Sequence, residues 1–249
     1  MTVRLERRGP IAVLTLDRPE KRNAFDAAAT QALDSALNAF EDDPGLRAAV
    51  LTGGPRFFSA GTDVRTWAGT PTERGGPYGI AARALRKPLI AAVEGVAAGG
   101  GFEIALSATM VVASTEARFS FPEVGLGLVA ECGGLFRGPR ALPLNVAREL
   151  LLTGRPLTAE RGYALGLVNR LTEPGGALDA ALALAEEVAA QAPVAVAETL
   201  AAVEAAYAEA NAAGWESTAE SAVRVRATAD AVEGVAAFLE RRPARFSGR

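Results

Sequence analysis

An α/β body followed by a helical module is the fold class the sequence predicts, on three observations. Short apolar runs bounded by Gly and Pro alternate with helix-periodic segments as far as residue 171. From Pro193 onward only helical segments remain, each with an Ala/Val/Leu face. The chain has 249 residues and is 49% hydrophobic, enough for a sizeable buried core. The expected division is a core over residues 1–192 and a helical module over 193–249.

Residues 3–6 and 11–16 flank Gly9-Pro10 and read as a hairpin. The charged stretch from Asp17 to Phe25 reads as a loop, and Asp26 is placed to cap a helix over 27–41, where Leu33, Leu37 and Phe40 recur at helical spacing. A short buried strand follows at 48–52, and Asp63 is positioned to open another helix. Residues 68–79, with Gly, Pro and Thr but few apolar anchors, read as a mobile loop leading to a helix that ends near Arg86. Further strands are expected at 88–93, 110–113, 117–121 and 167–171. Helices are expected at 143–152, 158–164, from Gly176 to about Gln191, and at 193–212, 215–226 and 228–240, with Pro243 stopping the last.

The formal net charge is −3 with acids and bases interspersed, which speaks against nucleic-acid and polybasic membrane-binding surfaces. There is no histidine, and Cys132 is the only cysteine. Ser-His-Asp and Cys-His catalysis are thereby excluded, as are the usual zinc and haem sites and any disulfide within the chain. No 18-residue apolar run is present and residues 1–8 lack the apolar core of a signal peptide, so the expectation is a soluble cytoplasmic protein. Carboxylates, backbone amides, hydroxyls, Lys, Arg or a borrowed cofactor remain to do the chemistry.

Ala98-Gly99-Gly100-Gly101-Phe102-Glu103, after the apolar run 88–93 and before the helix-like Ile104-Ala105-Leu106-Ser107-Ala108, reads as the glycine turn of a strand–turn–helix unit. Such a turn leaves amides uncovered at a helix N-terminus, which attracts developing negative charge. The spacing matches neither the Gly-x-Gly-x-x-Gly fingerprint nor a Gly-Lys-Ser/Thr phosphate loop, and close helix–strand packing is the plain alternative. Glu103 in the first turn and Glu123 in Phe121-Pro122-Glu123 lie among apolar neighbours, Phe102, Ile104, Phe119, Phe121 and Val124. They read either as solvated surface acids or as an acid–base pair whose surroundings favour a proton. Glu131 is a third acid, suited either to a helix N-terminus or to a site. No Asp-rich spacing supports a metal site. Arg18, Lys21 and Arg22 form a basic loop that, with Arg241-Arg242, could grip a phosphate-bearing ligand.

Motifs along nearly the whole chain, in order, resemble the crotonase (enoyl-CoA hydratase/isomerase) superfamily. They are Leu16-Asp17-Arg18-Pro19-Glu20-Lys21-Arg22-Asn23-Ala24, Phe58-Ser59-Ala60-Gly61-Thr62-Asp63-Val64, the run from Ile90 through Gly99-Gly100-Gly101-Phe102-Glu103, Phe119-Ser120-Phe121-Pro122-Glu123-Val124-Gly125-Leu126-Gly127, Leu152-Thr153-Gly154, Ala164-Leu165-Gly166-Leu167-Val168, and the end from Glu233 to Phe246. The resemblance implies a spiral of ββα turns with a C-terminal helical trimerisation module, assembled as a homotrimer or dimer of trimers. It implies an acyl-CoA thioester partner, with coenzyme A part of the substrate and no separate cofactor. Thr62 and Gly100 match the two oxyanion-hole amides, and Glu103 and Glu123 the two hydratase glutamates.

The same resemblance assigns Lys21, Arg22, Ala24, Ala60, Gly61, Asp63 and Gly99 to coenzyme A contacts and Phe246 to its adenine end. Both glutamates present favour water addition to a 2-enoyl-CoA in fatty-acid β-oxidation chemistry. An isomerase relying on Glu123, and a catalytically silent acyl-CoA-binding subunit, are the alternatives. Val129-Ala130-Glu131-Cys132-Gly133-Gly134 departs from the family's Pro-Gly-Ala-Gly-Gly-like turn, and its extra acid is placed to reshape the acyl pocket or take over proton transfer.

Overall fold

The central strands carry apolar residues on both faces, so they must be covered on both. The computed structural model, which describes residues 2–249, meets that demand with two sheets and a helix. The larger sheet holds β1 (Val3–Arg8), β2 (Ile11–Leu16), β3 (Ala48–Thr52), β5 (Leu89–Val93), β7 (Met110–Ser114) and β10 (Arg170–Thr172) in that spatial order. The smaller sheet holds β4 (Phe57–Ser59), β6 (Val96–Ala98), β8 (Arg118–Ser120) and β9 (Leu157–Thr158). From β3 to β8 the chain lays strands in the two sheets alternately, giving the spiral expected from the motifs. The β1–β2 and β8–β9 pairs are antiparallel and the others parallel.

Period-two alternation sorts the large sheet's side chains. Leu14, Leu51, Ala91 and Ala113 face the interior, whereas Ile11, Val50, Ile90 and Val112 face α6 (Ala177–Ala189). Helix α6 meets them with Ala177, Ala181, Ala185 and Ala189, one stripe at four-residue spacing. Its first amide is tied down by Glu94, buried at the end of β5, whose Oε1 accepts from Ala177 N–H at 3.0 Å.

Several elements match their expected places. The hairpin and β3 do so, as does α1 (Ala27–Asp42), whose cap Asp26 accepts from Ala29 N–H at 2.9 Å. Four expectations are corrected. Asp63 opens one turn and no helix, because Trp67 enters the left-handed region at φ 58°. Residues 68–79 are packed against α1, with Thr72, Gly75, Gly76, Tyr78 and Gly79 buried and the Thr72 hydroxyl donating to Asp34 at 2.8 Å. Residues 80–86 form turns where a helix was expected, since buried Arg83 reaches back to Asp34 and Glu41 of α1. Residues 213 and 214 do not break a helix. Gly214 lies within α8 (Ala208–Arg226), where any Cβ would strike the Phe136 ring, and the break falls at 206–207, after α7 (Pro193–Ala205).

The remaining helices are α2 (Gly100–Ala105), α3 (Gly134–Ala141), α4 (Leu144–Thr153), α5 (Ala159–Ala164) and α9 (Ala229–Glu240). Strand β6 and helix α3 had no counterpart in the sequence reading. Helix α9 lies against the 3₁₀ turn at Glu123–Leu126, with Gly234 on the Leu126 carbonyl. It ends at Arg241, in the left-handed region, before Pro243 is reached. Among the described residues no single helix is long and apolar enough to cross a membrane.

Candidate active site

The site is assembled where three loops cross at the ends of the small sheet's strands. Asn23, buried with φ 54°, stitches the first loop to the second. Its side-chain amide donates to the Gly53 and Phe58 carbonyls at 2.8 and 3.1 Å, and its carbonyl accepts from the Ser59 hydroxyl at 2.8 Å. The Ser59 hydroxyl in turn accepts from Gly61 N–H at 3.1 Å. The second loop then runs against the glycine turn. A Cβ on Gly61, at φ 86°, would fall 2.9 Å from the Gly100 nitrogen, so only glycine permits this approach. Thr62, the next residue, thus lies near the glycine turn, and neither its amide nor that of Gly100 donates to an acceptor among the described residues.

Helix α2 starts at Gly100 and carries Glu103 in its first turn, as expected. Phe102, on the neighbouring position, stacks on Phe121 at 4.6 Å and contacts Phe119 at 5.2 Å, fixing the helix against β8. Glu103 is 2% exposed, and its Oε1 accepts from Cys132 N–H at 2.7 Å and Gly134 N–H at 2.9 Å. Glu123 approaches Gly99 so closely that a Cβ there would lie 3.0 Å from Glu123 Oε1. Its Oε2 is buried with no hydrogen-bond partner among the described residues, an arrangement that costs stability and needs a ligand or a proton to relieve it.

Burial raises the proton affinity of both acids. For Glu103 desolvation is the chief cause, the Glu123 charge adds to it, and the Gly134 and Cys132 amides oppose it. For Glu123 desolvation again leads, opposed by its own backbone N–H and reinforced by the Glu131 charge. With no cation paired to either, the two hold a proton at a pH where ordinary carboxylates have lost theirs. Glu131 lies in the turn before α3, partly exposed, and is ion-paired with Arg226 of α8. Burial raises its affinity and Arg226 lowers it. Cys132 is buried, and its thiol is pushed well up by desolvation and then by the Glu103 charge.

Tyr78 is the site residue that the sequence reading missed. It is 4% exposed, in the left-handed region at φ 56°, and its hydroxyl lies 2.7 Å from Thr62 Oγ1. For a bulky residue that backbone conformation costs on the order of 1 kcal/mol, so the surroundings must enforce it. The only signal in the sequence was an aromatic set among glycines, Gly75-Gly76-Pro77-Tyr78-Gly79. Arg137 of α3 was missed too. It is largely buried and donates to the Ala81 carbonyl at 2.7 Å and the Ser107 hydroxyl at 3.1 Å.

Two of the basic groups read from the sequence as a phosphate grip are paired with acids. Arg18 is held by Asp26 at 2.8 Å and by the Ala24 carbonyl, and Arg242 by Glu233 at 2.6 Å. Lys21 and Arg22 are exposed and form no ion pair among the described residues, and Ala60 is exposed beside them in the crossing loop. Asp63 serves backbone turns, its side chain accepting from Arg65 N–H at 3.2 Å. Phe246 is 48% exposed in the C-terminal tail.

A family model described as Enoyl-CoA hydratase/isomerase matches residues 6–249. A carnitinyl-CoA dehydratase from Salmonella arizonae is 40% identical over 258 residues, covering 99% of this chain and 98% of the relative. The crystal structure of a carnitinyl-CoA hydratase from Mycobacterium avium superposes with a TM-score of 0.93 at 38% identity, covering 100% of this chain and 99% of that one. An enoyl-CoA hydratase from Mycobacterium tuberculosis H37Rv gives a TM-score of 0.80 at 43% identity, with the same coverage.

Proposed function

Because the chain belongs to the enoyl-CoA hydratase/isomerase family and is an enzyme of the hydro-lyase type, we propose that it adds water across the C2=C3 bond of a 2-enoyl-CoA thioester and removes it by the reverse route. The observation that carries this reading is a pair of acids of raised proton affinity, one with an unpartnered oxygen, beside two amides that lack any other acceptor.

The thioester oxygen accepts from Thr62 N–H and Gly100 N–H. Water held by Glu103 and Glu123 attacks C3, the C2=C3 electron pair shifts toward the carbonyl, and negative charge gathers on that oxygen. Each amide donor lowers the barrier by roughly 3 kcal/mol. Glu103 takes the proton of the water and Glu123 gives its own to C2, so the pair starts and ends with one proton between them. Microscopic reversal yields dehydration of a 3-hydroxyacyl-CoA. The names of the carnitinyl-CoA relatives support a second reading, dehydration of a thioester whose acyl group bears a quaternary ammonium.

Lys21 and Arg22, free of ion pairs, are assigned to the coenzyme A phosphates, with Ala24, Ala60, Gly61, Asp63 and Gly99 lining its path and Phe246 at its adenine end. Coenzyme A enters as part of the substrate and no further cofactor is invoked. The exposed Val194, Val203, Val223, Val232 and Phe238 on α7–α9 support self-association through a 193–249 module, read as a homotrimer or dimer of trimers, and the compartment proposed is the cytoplasm.

Loss of enoyl absorbance on incubation with crotonyl-CoA tests the reaction, and gain of enoyl absorbance on incubation with carnitinyl-CoA tests the second reading. Turnover of neither would overturn the reading and leave an acyl-CoA-binding subunit. An isomerase relying on Glu123 would survive Glu103→Ala, whereas the hydratase would not.

A further inference from the structure

Tyr78 is held in place from four sides. The Thr72 hydroxyl at the start of its loop donates to Asp34 at 2.8 Å, and Arg83 beyond it pairs with Asp34 at 2.6 Å and Glu41 at 3.1 Å. Gly79, at φ 75°, lies so close to α1 that a Cβ would fall 2.7 Å from Asp34 N. The Tyr78 ring meets Phe25 edge-on at 5.5 Å, and its hydroxyl meets Thr62 Oγ1. A side chain so constrained is a fixed wall and not a swinging lid.

What the wall faces is the α-carbon of Gly100, where any Cβ would collide with the ring and its hydroxyl oxygen. Gly100 carries one of the two amides without an acceptor. On the acyl-CoA reading the thioester oxygen sits on that amide with C2 and C3 near Glu103, whose charge reaches Tyr78, so the acyl chain leaves the carbonyl beside the ring.

We propose that Tyr78 sets the depth of the acyl pocket, its buried ring closing the space beside Gly100 so that the site takes acyl-CoA thioesters of butyryl size and rejects long unbranched chains. The proposal rests on the acyl-CoA reading above and names its substrate class. Tyr78 acts as a specificity-determining residue and takes no part in proton transfer.

Saturated thioesters have no double bond to hydrate, so they report the pocket without turnover. Isothermal titration calorimetry of the full chain with butyryl-CoA and octanoyl-CoA is expected to give octanoyl-CoA a Kd at least about tenfold higher. Tyr78→Ala removes the ring and is expected to bring the two within about threefold, while Tyr78→Phe keeps the ring and the preference. Circular dichroism checks each variant's fold, and Tyr78→Val takes the place of an alanine variant that fails it. A wild-type protein that binds octanoyl-CoA as tightly as butyryl-CoA overturns the proposal whatever the variants do, as does a tenfold preference surviving loss of the ring. Either result leaves the acyl-CoA reading intact, whereas binding of neither thioester overturns both.

Discussion

Two pairs of inward-lying acids in this chain have opposite charge accounting. Asp34 and Glu41 on α1 are buried with Arg83, whose guanidinium reaches them at 2.6 and 3.1 Å. Their remaining oxygens are also occupied, Asp34 by Asn38 at 2.9 Å and Glu41 by Arg86 N–H at 2.8 Å. Glu103 is buried and Glu123 half-buried beside the glycine turn; among the described residues neither has a cation within ion-pair distance, although the Glu103 charge is felt by Arg137, and the buried Glu123 Oε2 has no hydrogen-bond partner. The first pair locks the Tyr78 loop to the body. The second keeps its protons available. Burial alone therefore does not set an acid's proton affinity, and the absence of a directly paired cation separates the two sets.

The sharpest break of this contrast is Glu123→Gln, which keeps shape and removes the transferable proton. Hydration of crotonyl-CoA is expected to fall by about 10³-fold or more in kcat, with binding of butyryl-CoA retained. A rate within tenfold of wild type would remove Glu123 from the chemistry. Next in size is Arg83→Met, which leaves buried Asp34 without its cation and buried Glu41 with only Arg74 at 3.6 Å. Unfolding in urea should show a loss of about 3 kcal/mol, and a change below about 1 kcal/mol would mean that the cluster is not structural.

Stability against pH gives a smaller effect of definite sign. Glu103 and Glu123 have folded-state proton affinities raised above those of the unfolded chain, so between the two the native state binds more protons and stability falls as pH rises. Glu103→Gln keeps an oxygen for the Cys132 and Gly134 amides but cannot ionise. It should flatten that fall and raise stability near neutral pH by about 1 kcal/mol, read from urea midpoints across pH 5 to 8. A steeper fall would contradict the raised affinity. The smallest effect is expected for Glu131→Gln, which breaks a largely exposed pair with Arg226. Stability should move by less than about 1 kcal/mol and kcat by less than about tenfold, whereas a loss as large as that of Glu123→Gln would make Glu131 the proton carrier.

Much of this was legible in the residues. Alternating segments and their disappearance after residue 171 announced the α/β body, and the absence of histidine removed most rival chemistries before any geometry was known. Strand β3 and the Asp26 cap were readable because each rests on local chemistry, an apolar run in one case and a single side-chain acceptor in the other. Glu103 beside the glycine turn and Glu123 after Phe121-Pro122 stood out by their apolar neighbours, and the motif order pointed to Thr62 and Gly100.

Only the tertiary structure could decide the rest, because each missed feature depends on a partner distant in sequence. Residues 68–79 carry few apolar anchors, yet they pack through Asp34 and Arg83, polar contacts that no hydrophobic periodicity records. Gly214 looks like a helix break until Phe136 is set against it, about which the local sequence says nothing. Composition and pattern thus excluded histidine-based chemistry and showed roughly where the acids lie. Folding decided that Asp34 and Glu41 share Arg83 while, among the described residues, no cation comes within ion-pair distance of Glu103 or Glu123, since an arginine compensates a carboxylate fully only when the chain brings the two together.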